Sequence, residues 1–154
     1  MIRPVAASDA KAWAVLRHAL WPDADPGELA NEAHSFVEGC AVTAVTAAFI
    51  AADETSALGF LELSVRPFAD GCDSTPVPHI EAWYVAPAAR GRGIGRALME
   101  AAETWSRTHG FTELASDTEV KNEQSIQAHV RCGFTETERL VKFRKPILDP
   151  RTSE

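Results

Sequence analysis

The run Val85-Ala86-Pro87-Ala88-Ala89-Arg90-Gly91-Arg92-Gly93-Ile94-Gly95-Arg96-Ala97-Leu98 constrains this chain more than any other stretch. Before it, His79 to Val85 reads as a strand. After it, Ile94, Ala97, Leu98, Ala101, Ala102 and Trp105 recur at the spacing of one apolar helix face. A strand, a glycine-rich turn and an immediate helix therefore follow one another. Gly91, Gly93 and Gly95 have no Cβ to block a close-approaching phosphate, and they admit unusual backbone angles. The first N–H groups of a helix have no partner inside it. Together with the positive end of the helix dipole they make an anion site. Arg90, Arg92 and Arg96 add full charge, which suits a polyphosphate. A solvated basic turn is the plain alternative, and the conjunction of strand, RGRGIG and helix favours phosphate over it. The run is neither GxxxxGK[ST] nor a GxGxxG after a first strand.

The rest of the chain reads as one domain over residues 1–148, with 149–154 as a disordered tail. Ile2 to Val5 is a short strand, and Ser8 is a plausible N-cap for a helix carrying Trp13, Leu16 and Leu20. Trp21 to Gly27 breaks that helix, and a second spans Glu28 to Glu38. Strands are expected at Val42–Ala52 and Ala57–Arg66, joined as a hairpin by Asp53 to Ser56. In the latter, Leu61, Leu63 and Val65 face one way and Phe60, Glu62 and Ser64 the other. A long loop follows, from Pro67 to Pro78. A short strand at Thr112–Ser116, a helix capped by Asn122 and running to about Arg131, and a last strand at Phe134–Phe143 complete the order β-α-α-β-β-β-α-β-α-β. The strand–helix–strand unit demands a parallel pair and the hairpins antiparallel ones, which gives an α/β fold with a mixed sheet and helices on both faces.

Composition removes several function classes. The net charge of −7 argues against nucleic acid as the main partner and is compatible with a cationic substrate. No apolar run approaches the ~20 residues of a membrane span, and Met1-Ile2-Arg3-Pro4 lacks the stretch of a secretory signal. A cytoplasmic protein without membrane partners is expected. Cys40, Cys72 and Cys132 form no CxxC pair, and the five histidines make no HxxxH or HExxH pattern, so no metal is expected.

The Arg-x-x-Gly-x-Gly pattern of Arg90 to Gly95 resembles the pyrophosphate loop of the GNAT acetyltransferases, and the order of elements is similar to that fold over nearly the whole chain. The resemblance implies acetyl-CoA as co-substrate, bound by Arg90, Gly91, Arg92, Gly93, Ile94, Gly95 and Arg96. It also implies a mainly antiparallel central sheet in which Trp83-Tyr84-Val85 lies along the pantetheine arm. There the strand and Thr112–Ser116 splay apart.

Four further segments narrow the likeness: Leu20-Trp21-Pro22; Gly71-Cys72 with Pro76-Val77 ahead of Glu81 to Val85; Ala115-Ser116-Asp117 with Asn122; and Gly133 to Arg139 leading into Phe143-Arg144-Lys145. Together they resemble the shorter chromosomal aminoglycoside 6'-N-acetyltransferases, from the N-terminus to about Ile147. That likeness implies an antibiotic site lined by Glu81, Asp117 and Glu138 with Trp21 and Phe68 as walls, Asn122 on coenzyme A, and a homodimer. The chemistry is coherent without the family, since carboxylates hold ammonium groups by charge-assisted hydrogen bonds and aromatic faces attract cations. Each residue also has a plainer reading. Asp117 could cap a turn, Glu138 could lie on a solvated strand face, and Trp21 could be core, whereas a carboxylate inside the apolar strand at Glu81 is costly unless used. The chain departs from the family pattern at Ala24, Phe68 and Phe143, where a histidine and two tyrosines are common.

No Cys/His pair of catalytic type is visible, so the amine is expected to attack the thioester directly in a ternary complex. Glu81 is the first candidate base, acting through a water, and Asp117 the second. Main-chain N–H groups near Val85 are expected to polarise the carbonyl. The competing readings are a GNAT enzyme for another amine, such as a polyamine, a metabolite or a protein N-terminus, and a non-catalytic acetyl-CoA-binding module.

Overall fold

The computed structural model describes residues 1–152; residues 153 and 154, at the end of the expected tail, lie outside the described residues. Pro150–Thr152 form a 3₁₀ turn. Four strands, β1 (Ile2–Pro4), β2 (Ala47–Ala52), β3 (Ala57–Arg66) and β4 (Val77–Val85), make an antiparallel sheet in sequence order. The helices are α1 (Ala10–Leu20), α2 (Pro26–Val37), α3 (Ile94–Thr108) and α4 (Glu123–Arg131). None of the described helices is long and apolar enough to cross a membrane.

The alternation of β3 sorts its side chains onto two cores. Leu61 and Leu63 pack with Phe49, Ile80 and the α3 residues Leu98, Met99 and Ala102. Phe60 packs with Trp13 and Leu16 of α1 and Ala33 of α2. One sheet face is thus covered by α3 and the other by α1 and α2. The second core also buries a charge. Glu62 is 1% exposed and accepts from Arg17 Nε at 2.7 Å and Trp13 Nε1 at 3.0 Å. Arg17 also donates to Leu29 O and to Glu32. Burial raises the pKa of Glu62 against the opposing charge and hydrogen bonds of Arg17.

Several boundaries differ from the sequence reading. α2 begins at Pro26, because proline fits the first helical turn and Asp25 caps it by accepting from Glu28 N. Ser8 caps nothing; a 3₁₀ turn over Ala7–Asp9 precedes α1, and Asp9 turns back to Ala6 N and Arg3. β2 starts at Ala47 rather than Val42. The expected strand Thr112–Ser116 reduces to one parallel bridge, Ala115 with His79. Ile80 N donates to Ala115 O and Ala115 N to Pro78 O, both at 2.9 Å. The expected strand Phe134–Phe143 is absent from the described residues, because it meets no sheet edge, and Leu140, Val141 and Phe143 stand exposed. The four-stranded sheet with its one parallel bridge and helices on both faces still has the expected mixed, mainly antiparallel character.

Candidate active site

β4 positions the site, and a β-bulge does most of the work. Ala82 pairs with Glu62 but Ile80 pairs with Leu63, so Glu81 is an extra residue with no opposite number. In an unbroken strand His79, Glu81 and Trp83 would share one face. The bulge lets Ile80 and Trp83 pack on the α3 side, while Glu81 turns toward Ser64 and Arg66 on the other. Ser64 Oγ donates to Glu81 Oε1 at 2.5 Å; Arg66 Nε and Nη2 donate to Oε1 and Oε2, each at 3.0 Å. Burial pushes the Glu81 carboxyl up. The hydrogen bonds from Arg66 and Ser64, with the Arg66 charge, outweigh it and hold Glu81 below the ordinary carboxylate range. The inward carboxylate read from the sequence is therefore not solitary but carries a bidentate cation.

His79 stands on the same side. It is 4% exposed, with Nδ1 at 3.5 Å from Glu81 Oε1 and Nε2 at 3.5 Å from Asp117 Oδ2. Burial, then the Arg66 charge, pull its pKa down against the two carboxylates. The imidazole is consequently neutral at neutral pH, and these contacts are not ion pairs there. Asp117, its side chain 71% exposed, follows the single bridge to β4.

The glycine-rich turn leads straight into α3, as its sequence announces. Gly91 and Gly93 take φ of +77° and +78°, and open space surrounds the place where each would carry a Cβ. Gly93 is the left-handed N-cap of α3. Gly95 serves differently: a Cβ there would meet the Trp83 ring at 3.6 Å, and its carbonyl accepts from Trp83 Nε1 at 2.9 Å. Trp83 thereby ties β4 to the start of α3. Arg90 Nε donates to Val85 O, with the guanidinium 5.8 Å from the Tyr84 ring centroid. Arg96 is engaged elsewhere, donating to Arg131 O at the end of α4. Beyond Ile80, the outer edge of β4 has no strand partner among the described residues. The expected splay is there, with Glu81 to Val85 along it. These features fit a pyrophosphate with an amide-bearing arm, through unpaired helix N–H groups, Cβ-free approach and an open strand edge.

The remaining candidates scatter. Asn122 caps α4 by accepting from Ser125 N at 3.1 Å. Trp21 ends α1, with the Arg17 guanidinium 5.2 Å from its ring and Phe60 edge-on. Phe68 is 66% exposed on the long loop. Glu138 is exposed and makes no hydrogen bond or ion pair among the described residues, so the structure does not join it to Glu81 and Asp117. Its segment does pass over the loop, since a Cβ on Gly71 would collide with Thr137.

Sequence reading missed five residues near these elements. Ser64 and Arg66 alternate on β3 with Glu62, and they mark a polar end to an otherwise apolar strand. His79 carried no motif. Ser116 Oγ and His129 Nε2 lie 2.7 Å apart, and His129 Nδ1 is 2.7 Å from Ser125 O. The carbonyl needs a donor at Nδ1, so Nε2 of a neutral ring accepts from the serine. The Trp83 ring meets His129 edge-on at 5.1 Å. Only the fold brings these together.

The family model described as acetyltransferase (GNAT) family matches residues 11–134. The aminoglycoside N(6')-acetyltransferase type 1 of Klebsiella aerogenes is 43% identical over 147 residues, covering 96% of this chain and 97% of its own. The enzyme of the same name from Stenotrophomonas maltophilia is 46% identical over 148 residues, 95% and 93% of the two chains. Among solved structures, AAC(6')-Iy in complex with the bisubstrate analogue CoA-S-monomethyl-acetylneamine superposes with a TM-score of 0.86 at 33% identity, covering 96% of this chain and 98% of that one.

Proposed function

This chain belongs to the acetyltransferase (GNAT) family, and on that footing we propose that Glu81, in its Ser64–Arg66 setting, receives the amine to be acetylated. The activity is transfer of the acetyl group of acetyl-CoA to the 6'-amine of an aminoglycoside, a reaction that confers antibiotic resistance. The observation that carries this reading is the bulge that places a charged carboxylate at the mouth of the splay, beside an unpaired strand edge and a glycine-rich helix start.

Main-chain N–H groups of Gly91 to Arg96 hold the pyrophosphate, with Arg90 and Arg92 adding charge. The edge Trp83-Tyr84-Val85 aligns the pantetheine arm, and Asn122, the N-cap of α4, contacts coenzyme A. Bound acetyl-CoA supplies an activated thioester. Glu81 holds the incoming ammonium and takes its proton through a water, with Asp117 as the second acceptor. The freed amine then attacks the carbonyl, which an edge N–H near Val85 polarises, and the thiolate leaves. Trp21 and Phe68 flank the sugar rings, and Glu138 adds a third carboxylate to the antibiotic site. The enzyme acts in the cytoplasm as a homodimer. Support for two copies comes from the exposed Leu140, Val141, Phe143, Ile147 and Leu148, a strand-like segment without a sheet to join.

The test is Glu81→Gln. Loss of a charged hydrogen-bond partner costs about 1.5–3 kcal/mol, or ~10–200-fold in acceptor affinity. Loss of the base lowers kcat by about 100-fold or more. Acetyl-CoA affinity stays as in the parent. A folded Glu81→Gln enzyme with unaltered kcat and KM contradicts the assignment.

A further inference from the structure

His79 is buried, yet both of its ring nitrogens face a carboxylate. Nδ1 has no hydrogen-bond partner. A neutral imidazole carries one N–H. It can therefore satisfy Glu81 Oε1 or Asp117 Oδ2, but not both; whichever oxygen meets the bare nitrogen meets a lone pair at 3.5 Å. Two species can relieve that contact. One is a second proton on the ring, and the other is a cation seated beside the carboxylates.

The charges around the ring make the two exclusive. The groups facing His79 are Arg66 from β3, Glu81 from β4 and Asp117 from the segment after Ala115. With the imidazole neutral, these three leave one net negative charge. With the imidazole protonated, the cluster is neutral, and its two carboxylates are already shared with Arg66 and the imidazolium. An ammonium group then finds no free charge and meets an added cation a few ångströms away, inside a partly desolvated site where repulsion is weakly screened.

We propose that His79 sets acceptor affinity, joining Glu81 and Asp117 into one proton-linked unit that admits a cationic amine only while the imidazole is neutral. The inference rests on the reading of Glu81 and Asp117 as the acceptor site. His79 here is a positioning and specificity residue, not the base. By reciprocity, a bound amine must also disfavour the protonated ring.

The experiment measures binding without chemistry. A kanamycin-like aminoglycoside is titrated into the enzyme by calorimetry with coenzyme A in place of acetyl-CoA, from about pH 5 to about pH 8, the span in which imidazoles change charge. Wild type, His79→Phe and His79→Gln are compared. The wild-type Kd is expected to climb as pH falls below the His79 pKa, approaching ~10-fold per pH unit relative to the variants, the limit for one excluded proton. Near the alkaline end, where the wild-type imidazole is neutral, the wild-type Kd stops changing with pH relative to the two variants. In parallel, the His79 ring is followed by NMR in the wild-type enzyme, assigned by its loss in His79→Phe. Its titration moves to lower pH when the aminoglycoside is bound. Parallel Kd profiles for wild type and both variants, or a His79 titration that the aminoglycoside leaves in place, overturn the proposal. Asp117→Asn and Glu81→Gln separate the two claims. If either weakens acceptor binding while the profiles stay parallel, only the His79 inference fails. If neither changes Kd, the acceptor site itself is misplaced and the inference falls with it.

Discussion

Arg17→Met probes the buried charge under the sheet. In the native chain Arg17 gives Nε to Glu62, and the same guanidinium serves Leu29 O and Glu32. Glu62 is 1% exposed, so without Arg17 its carboxylate keeps only the Trp13 indole N–H. Removing one partner of a buried pair costs about 3–5 kcal/mol, because an uncompensated charge stays behind. At about 3 °C per kcal/mol for a chain of this size, the midpoint of thermal unfolding falls by ~10–15 °C. Glu62 then gains most by taking up a proton. Its folded-state pKa is raised already, which places the stabilising, neutral form at low pH and its loss as pH rises through that folded value. Without the charge and hydrogen bond of Arg17 the Glu62 pKa rises further, so the Arg17→Met defect relative to the wild type should shrink as pH is lowered. The double variant Arg17→Met/Glu62→Leu should regain most of the stability, since an apolar pair of similar volume substitutes for a buried ion pair at little cost. Urea denaturation of the three proteins checks all of this. A loss below about 1 kcal/mol for Arg17→Met, the range of a surface pair, or a double variant no better than the single, refutes the reasoning.

Two other substitutions address the site. Gly93→Val should fold, since open space surrounds the missing Cβ, but a β-branched residue at φ of +78° costs ~1–2 kcal/mol or more and fills the approach to the helix N–H groups; coenzyme A binding by calorimetry should be lost, and an unchanged Kd contradicts the loop assignment. Arg66→Met removes the main group holding Glu81 below the ordinary carboxylate range, so the Glu81 pKa should rise and the acid limb of kcat/KM should move to higher pH; a pH–rate profile that does not move separates that limb from Glu81.

What could be read from the sequence was what is local. The glycine-rich turn has glycines at alternate positions, Gly91, Gly93 and Gly95, at a helix start, and one stretch of chain contains them all. The faces of β3 followed from alternation, because Leu61, Leu63 and Phe60 each have one core to enter. The bulge at Glu81 was invisible: Ile80, Ala82 and Trp83 suit either register, and only pairing with β3 reveals the extra residue. Arg66 gains meaning from that register, which puts it on a carboxylate fifteen positions away, and His79 gains it by facing the same oxygen. Arg17 was hidden among the polar positions of an amphipathic helix, and its partner lies on a distant strand. The segment from Phe134 to Phe143 has strand-like composition, but propensity acts through a paired neighbour, and the segment pairs with none of the described strands.

Acetyl transfer to one particular amine is read out as release of free thiol from acetyl-CoA with two aminoglycosides that differ only at the 6' position. With an amine there, thiol should appear in step with acceptor consumed, and mass spectrometry should find a single added acetyl on the 6' nitrogen. With a hydroxyl there, thiol release should stay at the hydrolytic background. Equal turnover of the two compounds, or acetylation at another nitrogen, contradicts the account.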